Sequence, residues 1–139
     1  MKVLFVSRAN VGRSQVAEAF YNDLSKKHSS TSAGTETNEN GMPLGILRGA
    51  KEIIACMKNE HGLDVTNKNV KLLQMRMLED ADIVIAMGDG EEIFPDYLRK
   101  FSKVIYWQVG DFKDKPYQET CFAIEEIKLK IQELVNAHG

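Results

Sequence analysis

The stretch that decides the fold lies at the start of the chain and reads Val3-Leu4-Phe5-Val6-Ser7-Arg8-Ala9-Asn10-Val11-Gly12-Arg13-Ser14. Its first four residues are apolar and include two valines, which is typical of a central strand buried on both faces. Beyond the stretch, the apolar residues Val16, Phe20 and Leu24 recur at a helical interval. The sequence therefore predicts a strand, a short loop and the start of a helix.

The loop between this strand and helix contains residues that are small or that tolerate left-handed backbone geometry, namely Ala9, Asn10 and Gly12. Such a turn can direct several backbone N–H groups at one point, and the helix N-terminus adds unpaired donors and a partial positive charge. Together these groups favour an oxyanion. Arg13 would supply a planar fork that matches two phosphate oxygens, so the loop is predicted to bind phosphate.

The side chain at position 7 decides what this loop can do with a bound phosphate ester. A thiolate there would lie under the converging donors, a setting that lowers the pKa of a thiol from about 8.5 to roughly 3.5–7.5. Ser7 keeps the shape but stays protonated, and no histidine lies near it in the sequence to act as its base. The loop residues alone therefore leave open whether the chain turns over a phosphate ester or only binds one.

The chain resembles the low-molecular-weight protein tyrosine phosphatase family, whose signature is a cysteine, five residues and then Arg-Ser after the first strand. Residues 5–14 carry this resemblance, and segments 17–18, 32–35, 81–87 and 107–111 follow in the family's order. The resemblance implies an α/β fold of three layers, in which a four-stranded parallel sheet of order 2-1-3-4 has helices on both faces. It also implies hydrolysis of a phosphoric monoester through a phosphocysteine intermediate.

The resemblance implies three catalytic positions. Ser7 occupies the place of the nucleophile, Arg13 binds the phosphoryl group, and Asp111 protonates the leaving oxygen and then activates water. The implied phosphate-binding residues are Arg8, Ala9, Asn10, Val11, Gly12, Arg13 and Ser14. We expect Asn10 to hold the loop rather than to contact substrate, whereas Ser14 either caps the helix or donates its hydroxyl to residue 7.

Three positions depart from the family's pattern. Ser7 replaces the nucleophilic cysteine, and Gly12 stands where a second cysteine is often found. The family's Asp-Pro pair reads Asp111-Phe112, so that Asp114, with Pro116 two residues later, competes with Asp111 as the general acid.

Two further features bear on the substrate. Phe112 and Tyr117 are candidate walls of an aromatic slot for a phenyl phosphate. Val11 is apolar at a position that faces the pocket in the family, and an apolar side chain suits a phosphotyrosine ring better than phosphoarginine. Both features favour phosphotyrosine.

Three functions are compatible with the loop. We interpret the chain as a protein tyrosine phosphatase in which Ser7 is a designed replacement of cysteine, giving a nearly inactive or substrate-trapping form. The alternative is a natural pseudophosphatase that recognises phosphorylated partners. Arsenate reduction ranks last, because no cysteine lies near the loop to resolve an intermediate. The expected partners are a phosphotyrosine-containing protein or a small aryl phosphate, with inorganic phosphate or sulfate in the loop.

Composition narrows the remaining classes of function. The chain has 139 residues and a net charge of −2, so we expect one domain over residues 1–139 and no attraction to nucleic acid or to an anionic membrane. Apolar stretches are too short to span a membrane or to form a secretory signal, and we expect a cytoplasmic protein. Cys56 and Cys121 are expected to be free thiols. No Cys/His spacing suggests a metal site, and no cofactor is expected.

The elements expected along the chain alternate between strand and helix. We expect strands at 3–6, 29–33, 83–87 and 104–109, and helices from 14 and around 47–61, 72–78, 91–101 and 124–134. This alternation predicts parallel pairing with right-handed crossovers, and ligands bind at the carboxyl ends of such strands. The loops after the first and fourth strands open at that edge, which would bring Asp111 near Ser7.

Overall fold

The computed structural model describes residues 1–90 and 92–138, and within them four strands alternate with five α-helices. The strands are β1 (Lys2–Ser7), β2 (Ser29–Gly34), β3 (Ile83–Gly88) and β4 (Val104–Gln108). The helices are α1 (Arg13–Leu24), α2 (Lys51–His61), α3 (Met75–Asp80), α4 (Asp96–Arg99) and α5 (Tyr117–His138). Two short helical turns, Leu44–Ile46 and Arg48–Ala50, precede α2.

The four strands form one parallel sheet of order β2-β1-β3-β4, which confirms the predicted topology. The central strand β1 is buried on both faces. Val3 and Phe5 belong to a larger core with α1, α2 and α5, whereas Leu4 and Val6 belong to a smaller core with α3 and α4. Helices therefore cover both faces of the sheet, and the three-layer arrangement is also confirmed.

The carboxyl ends of the strands lie at one edge of the sheet. Ser7 at the end of β1 is in register with Gly34 at the end of β2, and Gly88 of β3 is in register with Gln108 of β4. The loops that follow the four strands therefore meet at this edge, where ligands of such sheets bind. Within the described part of the chain, no helix is long and apolar enough to cross a membrane.

Three predicted helices begin later than expected, and the first of them, α2, begins at Lys51 after two short helical turns. Residues just before α3 are extended beside β2, because the Gly34 N–H donates to the Lys71 carbonyl and the Gly34 carbonyl accepts from the Leu73 N–H. The helix expected over 91–101 is confined to Asp96–Arg99, directly after Pro95, whose ring disfavours helical geometry in the residue before it. The prediction for Glu91 lies outside the described residues.

The prediction that both cysteines are free thiols was wrong. Cys56 on α2 and Cys121 on α5 form a disulfide, with their Cα atoms 5.7 Å apart. The two cysteines are separated by 65 positions in the sequence, and they meet because α2 and α5 pack together in the larger core. The bond ties α2 to the first turns of α5, just beyond the loop that follows β4.

Candidate active site

The loop after β1 passes very close to the end of β2. Asn10 adopts a left-handed backbone with φ of 60°, a conformation that asparagine tolerates better than most residues. Gly34 permits the close approach, because a Cβ there would lie 2.8 Å from the carbonyl carbon of Ala9 and 3.0 Å from the nitrogen of Asn10. Asn10 and Gly34 thus determine where the loop crosses the edge of the sheet.

The backbone of this loop presents N–H groups at the start of α1. No N–H group from Ala9 to Arg13 donates to a backbone carbonyl among the described residues. Gly12 is the N-cap of α1 and no side chain caps the helix, so the first helical backbone bond runs from the Val16 N–H to the Gly12 carbonyl, at 2.9 Å. Unpaired donors and the helix dipole make this end of α1 favourable for an anion.

The side chain of Asn10 fastens the loop to its surroundings. Its Nδ2 donates to Ser14 Oγ at 2.8 Å and to Ser32 Oγ at 3.0 Å. Its Oδ1 accepts from Gln15 Nε2 at 3.0 Å and from the Lys71 N–H at 2.8 Å. Two donors and two acceptors are the full capacity of an amide in this geometry, so the Asn10 side chain has no hydrogen-bonding position left for a ligand.

Ser7 lies buried at the end of β1, 2% exposed, with its Oγ 2.6 Å from Ser14 Oγ. Because Asn10 already donates to Ser14 Oγ, the hydroxyl proton of Ser14 can donate to Ser7 Oγ. Of the two roles considered for Ser14, the structure shows a hydrogen bond to residue 7, in which either hydroxyl can donate, and no side-chain cap of the helix.

Arg13 lies at the N-terminus of α1, and its side chain is only 4% exposed. Glu92, in the loop after β3, accepts hydrogen bonds from Nη1 and, at 3.2 Å, from Nη2. The Val109 carbonyl, just beyond β4, accepts from Nη1 at 3.1 Å. These contacts use three of the five N–H groups of the guanidinium. The Nε–H and one N–H of Nη2 bond to no residue that the structure describes, and they form a side fork that matches two phosphate oxygens.

Glu92 is a site residue that the sequence analysis missed, because segment 91–101 was assigned to a helix. Its carboxylate is also fixed by the Asp89 N–H, which donates to Oε1 at 3.2 Å. The available signal was an acidic pair a few residues after a buried strand, at the edge where a buried arginine needs a counter-ion.

Three other residues of the loop differ in how exposed their side chains are. Arg8 is largely exposed, and its Nε lies 3.4 Å from Glu36 Oε2. Ala9 is half-buried. Val11 is 1% exposed and belongs to the larger core. The Val11 side chain therefore packs inward, and the expectation that it faces the substrate was wrong.

The loop after β4 carries the two candidate acids. The Val109 carbonyl that binds Arg13 lies two residues before Asp111. Asp111 is exposed and accepts a hydrogen bond from the Lys113 N–H at 3.0 Å. Asp114 is also exposed and has a left-handed φ of 62°. Both carboxylates therefore belong to a loop whose first residue is anchored on Arg13.

The aromatic slot expected from Phe112 and Tyr117 does not form. Phe112 is 3% exposed, and its ring lies 3.5 Å from the position that a Cβ of Gly12 would take. Tyr117 begins α5, and its hydroxyl donates to Glu60 Oε2 at 3.2 Å. The two rings therefore contact different parts of the molecule, the phosphate loop and α2, respectively.

A parallel α/β sheet with a strand, a tight loop and an uncapped helix at its carboxyl edge is typical of domains that bind phosphoryl groups. The family model for the low molecular weight phosphotyrosine protein phosphatases matches residues 2–129. The chain belongs to this family of phosphatases, which are hydrolases. No curated protein sequence is significantly similar to it.

Several solved structures share the fold over nearly the whole chain. The low molecular weight protein tyrosine phosphatase from T. tengcongensis is 27% identical, with a TM-score of 0.83 and 99% of each chain covered. Arsenate reductase from Archaeoglobus fulgidus is 23% identical, with a TM-score of 0.72, covering 96% of this chain and 98% of that one. A cysteine-to-serine mutant of the YwlE arginine phosphatase, with a phosphorylated active-site serine, is 22% identical, with a TM-score of 0.80, covering 99% and 95%.

Proposed function

We propose that the chain is a protein tyrosine phosphatase in which the residue at position 7 attacks the phosphorus, and that Ser7 makes it nearly inactive. One observation carries the proposal: buried Arg13 is held by Glu92 and Val109. Two of its N–H groups bond to no described residue, and it begins the helix whose Ser14 is hydrogen-bonded to Ser7. An arginine in the first turn of a helix opposes the helix dipole, and the Glu92 carboxylate together with a bound phosphoryl group would reduce this conflict.

In the proposed reaction, the nucleophile at residue 7 forms a bond to phosphorus and the bond to the leaving oxygen breaks. Arg13 and the loop N–H groups stabilise the charge on the non-bridging oxygens. Asp111 donates a proton to the leaving oxygen and then takes one from the water that hydrolyses the phosphoenzyme. We assign Asp111 rather than Asp114 because it lies closer in the chain to Val109, which contacts Arg13.

Ser7 lacks a base that would make its hydroxyl a good nucleophile. His28 binds the N-terminal amine and the carbonyl of His138, and His61 lies 3.7 Å from Glu125. Among the described residues, the only side chain that bonds Ser7 Oγ is Ser14. A protonated serine with no base attacks phosphorus far more slowly than a thiolate would.

A phosphate-binding protein without turnover is the second candidate, and the missing base at Ser7 favours it. The phosphorylated serine of the YwlE mutant suggests an intermediate case, in which Ser7 slowly accepts a phosphoryl group and then retains it. Substrate for either function is proposed to be a phosphotyrosine-containing protein, with a small aryl phosphate as the simplest probe.

The Ser7→Cys variant tests the proposal. We expect it to hydrolyse an aryl phosphate at a rate at least a hundredfold above the Ser7 chain, because thiolate attack replaces hydroxyl attack. Intact mass spectrometry after incubation with the aryl phosphate should show one phosphoryl group on the Ser7 chain and none on Ser7→Ala. If the cysteine variant melts like the parent, binds phosphate and remains inert, the phosphatase proposal is wrong and the binding function is favoured.

A further inference from the structure

A cavity of about 380 Å³ adjoins the phosphate loop on the side of α2 and β4. It lies between the segment leading into α2 and the loop that follows β4. Two of its lining residues, Ile53 and Phe112, are also the side chains nearest to Gly12, at 3.3 and 3.5 Å from the position of a Cβ there. The cavity is therefore a direct neighbour of the loop that would bind phosphate.

Three cationic side chains line this cavity, and a fourth lies against one of its lining residues. Arg48, Lys51 and Lys115 line it and are exposed. Lys113 lies across Gly49, where a Cβ would be 2.9 Å from the Lys113 Cγ. None of the four forms an ion pair with a described residue. We refer to the cavity with these four cations as the basic crevice.

The carboxylates that line the basic crevice are fewer than its cations. Glu52 lies in the first turn of α2, where a negative charge stabilises the helix end. Asp111 is the proposed general acid, and Asp114 lines the crevice. Among the residues that line the cavity, three cations therefore outnumber two carboxylates.

On the other side of the phosphate loop, carboxylates outnumber cationic side chains. A second cavity there is lined by Glu36, Asp89 and Glu92, with Arg8 as its one cation. Arg8 is paired with Glu36, and Glu92 is paired with Arg13. Around the phosphate loop, the cations without an ion pair thus lie on the side of the basic crevice.

We propose that the basic crevice binds acidic residues that flank the phosphorylated side chain of a protein substrate, which rests on the proposed function. A peptide whose phosphoryl group is bound at the loop has neighbouring residues within reach of the crevice, because Ile53 and Phe112 contact both. Three of the cations are exposed and Lys113 is half-buried, so each pair with a substrate carboxylate contributes little, and together they give a preference of about tenfold at low salt. Screening at high salt should remove most of it.

The test measures the Kd of the Ser7 chain by fluorescence anisotropy. The probes are phosphotyrosine peptides of one length whose flanking residues are glutamates, alanines or lysines, together with the unphosphorylated glutamate peptide. We expect the glutamate-flanked phosphopeptide to bind about tenfold more tightly than the lysine-flanked one at low salt. The triple variant Arg48→Glu, Lys51→Glu and Lys115→Glu should abolish or reverse this preference.

A matched control variant has three lysines replaced by glutamate at positions outside the crevice. Lys26, Lys27 and Lys58 are exposed and do not line the crevice, so their replacement by glutamate should leave the preference intact. Equal affinity for all three phosphopeptides would overturn the inference and leave the proposed function standing. Equal binding of the glutamate peptide with and without phosphate would overturn it in favour of a general polyanion surface. If no phosphopeptide binds, the proposed function fails as well.

Discussion

Glu92 holds the end of the Arg13 guanidinium through both Nη atoms, and the two side chains are only 14% and 4% exposed. The carboxylate reduces the net positive charge beside the phosphate loop but fixes the plane of the guanidinium. Because a guanidinium cannot lose its proton, breaking the pair leaves an uncompensated buried charge. Glu92 therefore acts as a positioning residue for Arg13.

Glu92→Ala should lower kcat/KM for an aryl phosphate by about 10- to 100-fold in the Ser7→Cys background, because a misplaced guanidinium no longer matches the phosphoryl oxygens. Glu92→Gln should retain more activity, since its amide oxygen can still accept one hydrogen bond from Arg13. The measurement is steady-state kinetics with melting curves for both variants. A folded alanine variant with full activity would contradict the positioning role.

Asp111→Asn, also in the Ser7→Cys background, should lower kcat by roughly 100-fold and flatten the fall of kcat at high pH, because the proton donor is lost. The loss of kcat should be smaller for a substrate whose leaving group departs without protonation. Asp114→Asn is the matched variant in the same loop and should change kcat by less than about threefold. The reverse ranking would assign the acid to Asp114.

Local signals in the sequence were sufficient to predict the strand, the loop and the helix start that carry Ser7 and Arg13. The apolar run of β1, the left-handed preference of Asn10 and the position of Arg13 before a helical repeat all operate within a dozen residues. The sheet order needed the family resemblance, because residues 29–33 have little strand character of their own.

These local signals could not predict contacts between segments that lie far apart in the sequence. Glu92 meets Arg13 across 79 positions, and Cys56 meets Cys121 only after α2 and α5 have packed. The inward orientation of Val11 depends on how the loop turns at Asn10, which spacing alone does not fix. The ion pair, the disulfide and the orientation of Val11 each depend on how the core packs, so local sequence patterns do not determine them.

The Cys56–Cys121 disulfide should contribute to stability in the oxidised protein. Closing a loop across 65 positions is worth roughly 4 kcal/mol in the chain-entropy description. Cys121→Ser should therefore lower the free energy of unfolding without reductant, as measured by urea denaturation. With excess reductant, the parent and the variant should unfold at similar urea concentrations. Identical unfolding under oxidising conditions would show that the bond does not form in solution.

His61 should make the protein less stable in mild acid. Burial lowers the pKa of His61 from 6.5, Lys128 acts in the same direction, and Glu125 and Glu60 oppose them. The unfolded state therefore binds a proton more readily than the folded state does. The contribution of His61 is fully present above about pH 6.5 and is lost as the pH falls through the lowered pKa of the folded state.

The melting temperature should accordingly fall between pH 7 and pH 5, and His61→Phe should remove part of that fall. The ring of Phe20 packs edge-on against His61, at 4.9 Å between centroids, so an aromatic replacement preserves the contact. His138→Gln, at an exposed position, is the control and should leave the pH dependence unchanged. The same acid sensitivity in His61→Phe as in the parent would assign it to other groups.

The most direct test of the central claim, that the loop after β1 binds a tetrahedral dianion beside residue 7, is calorimetric titration of the Ser7 chain with inorganic phosphate. The account predicts one site, and at least a tenfold weaker affinity for Arg13→Lys, which keeps the charge but loses the planar fork. Equal affinity in the parent and in a folded Arg13→Lys variant, or no heat of binding in the parent at millimolar phosphate, would contradict it.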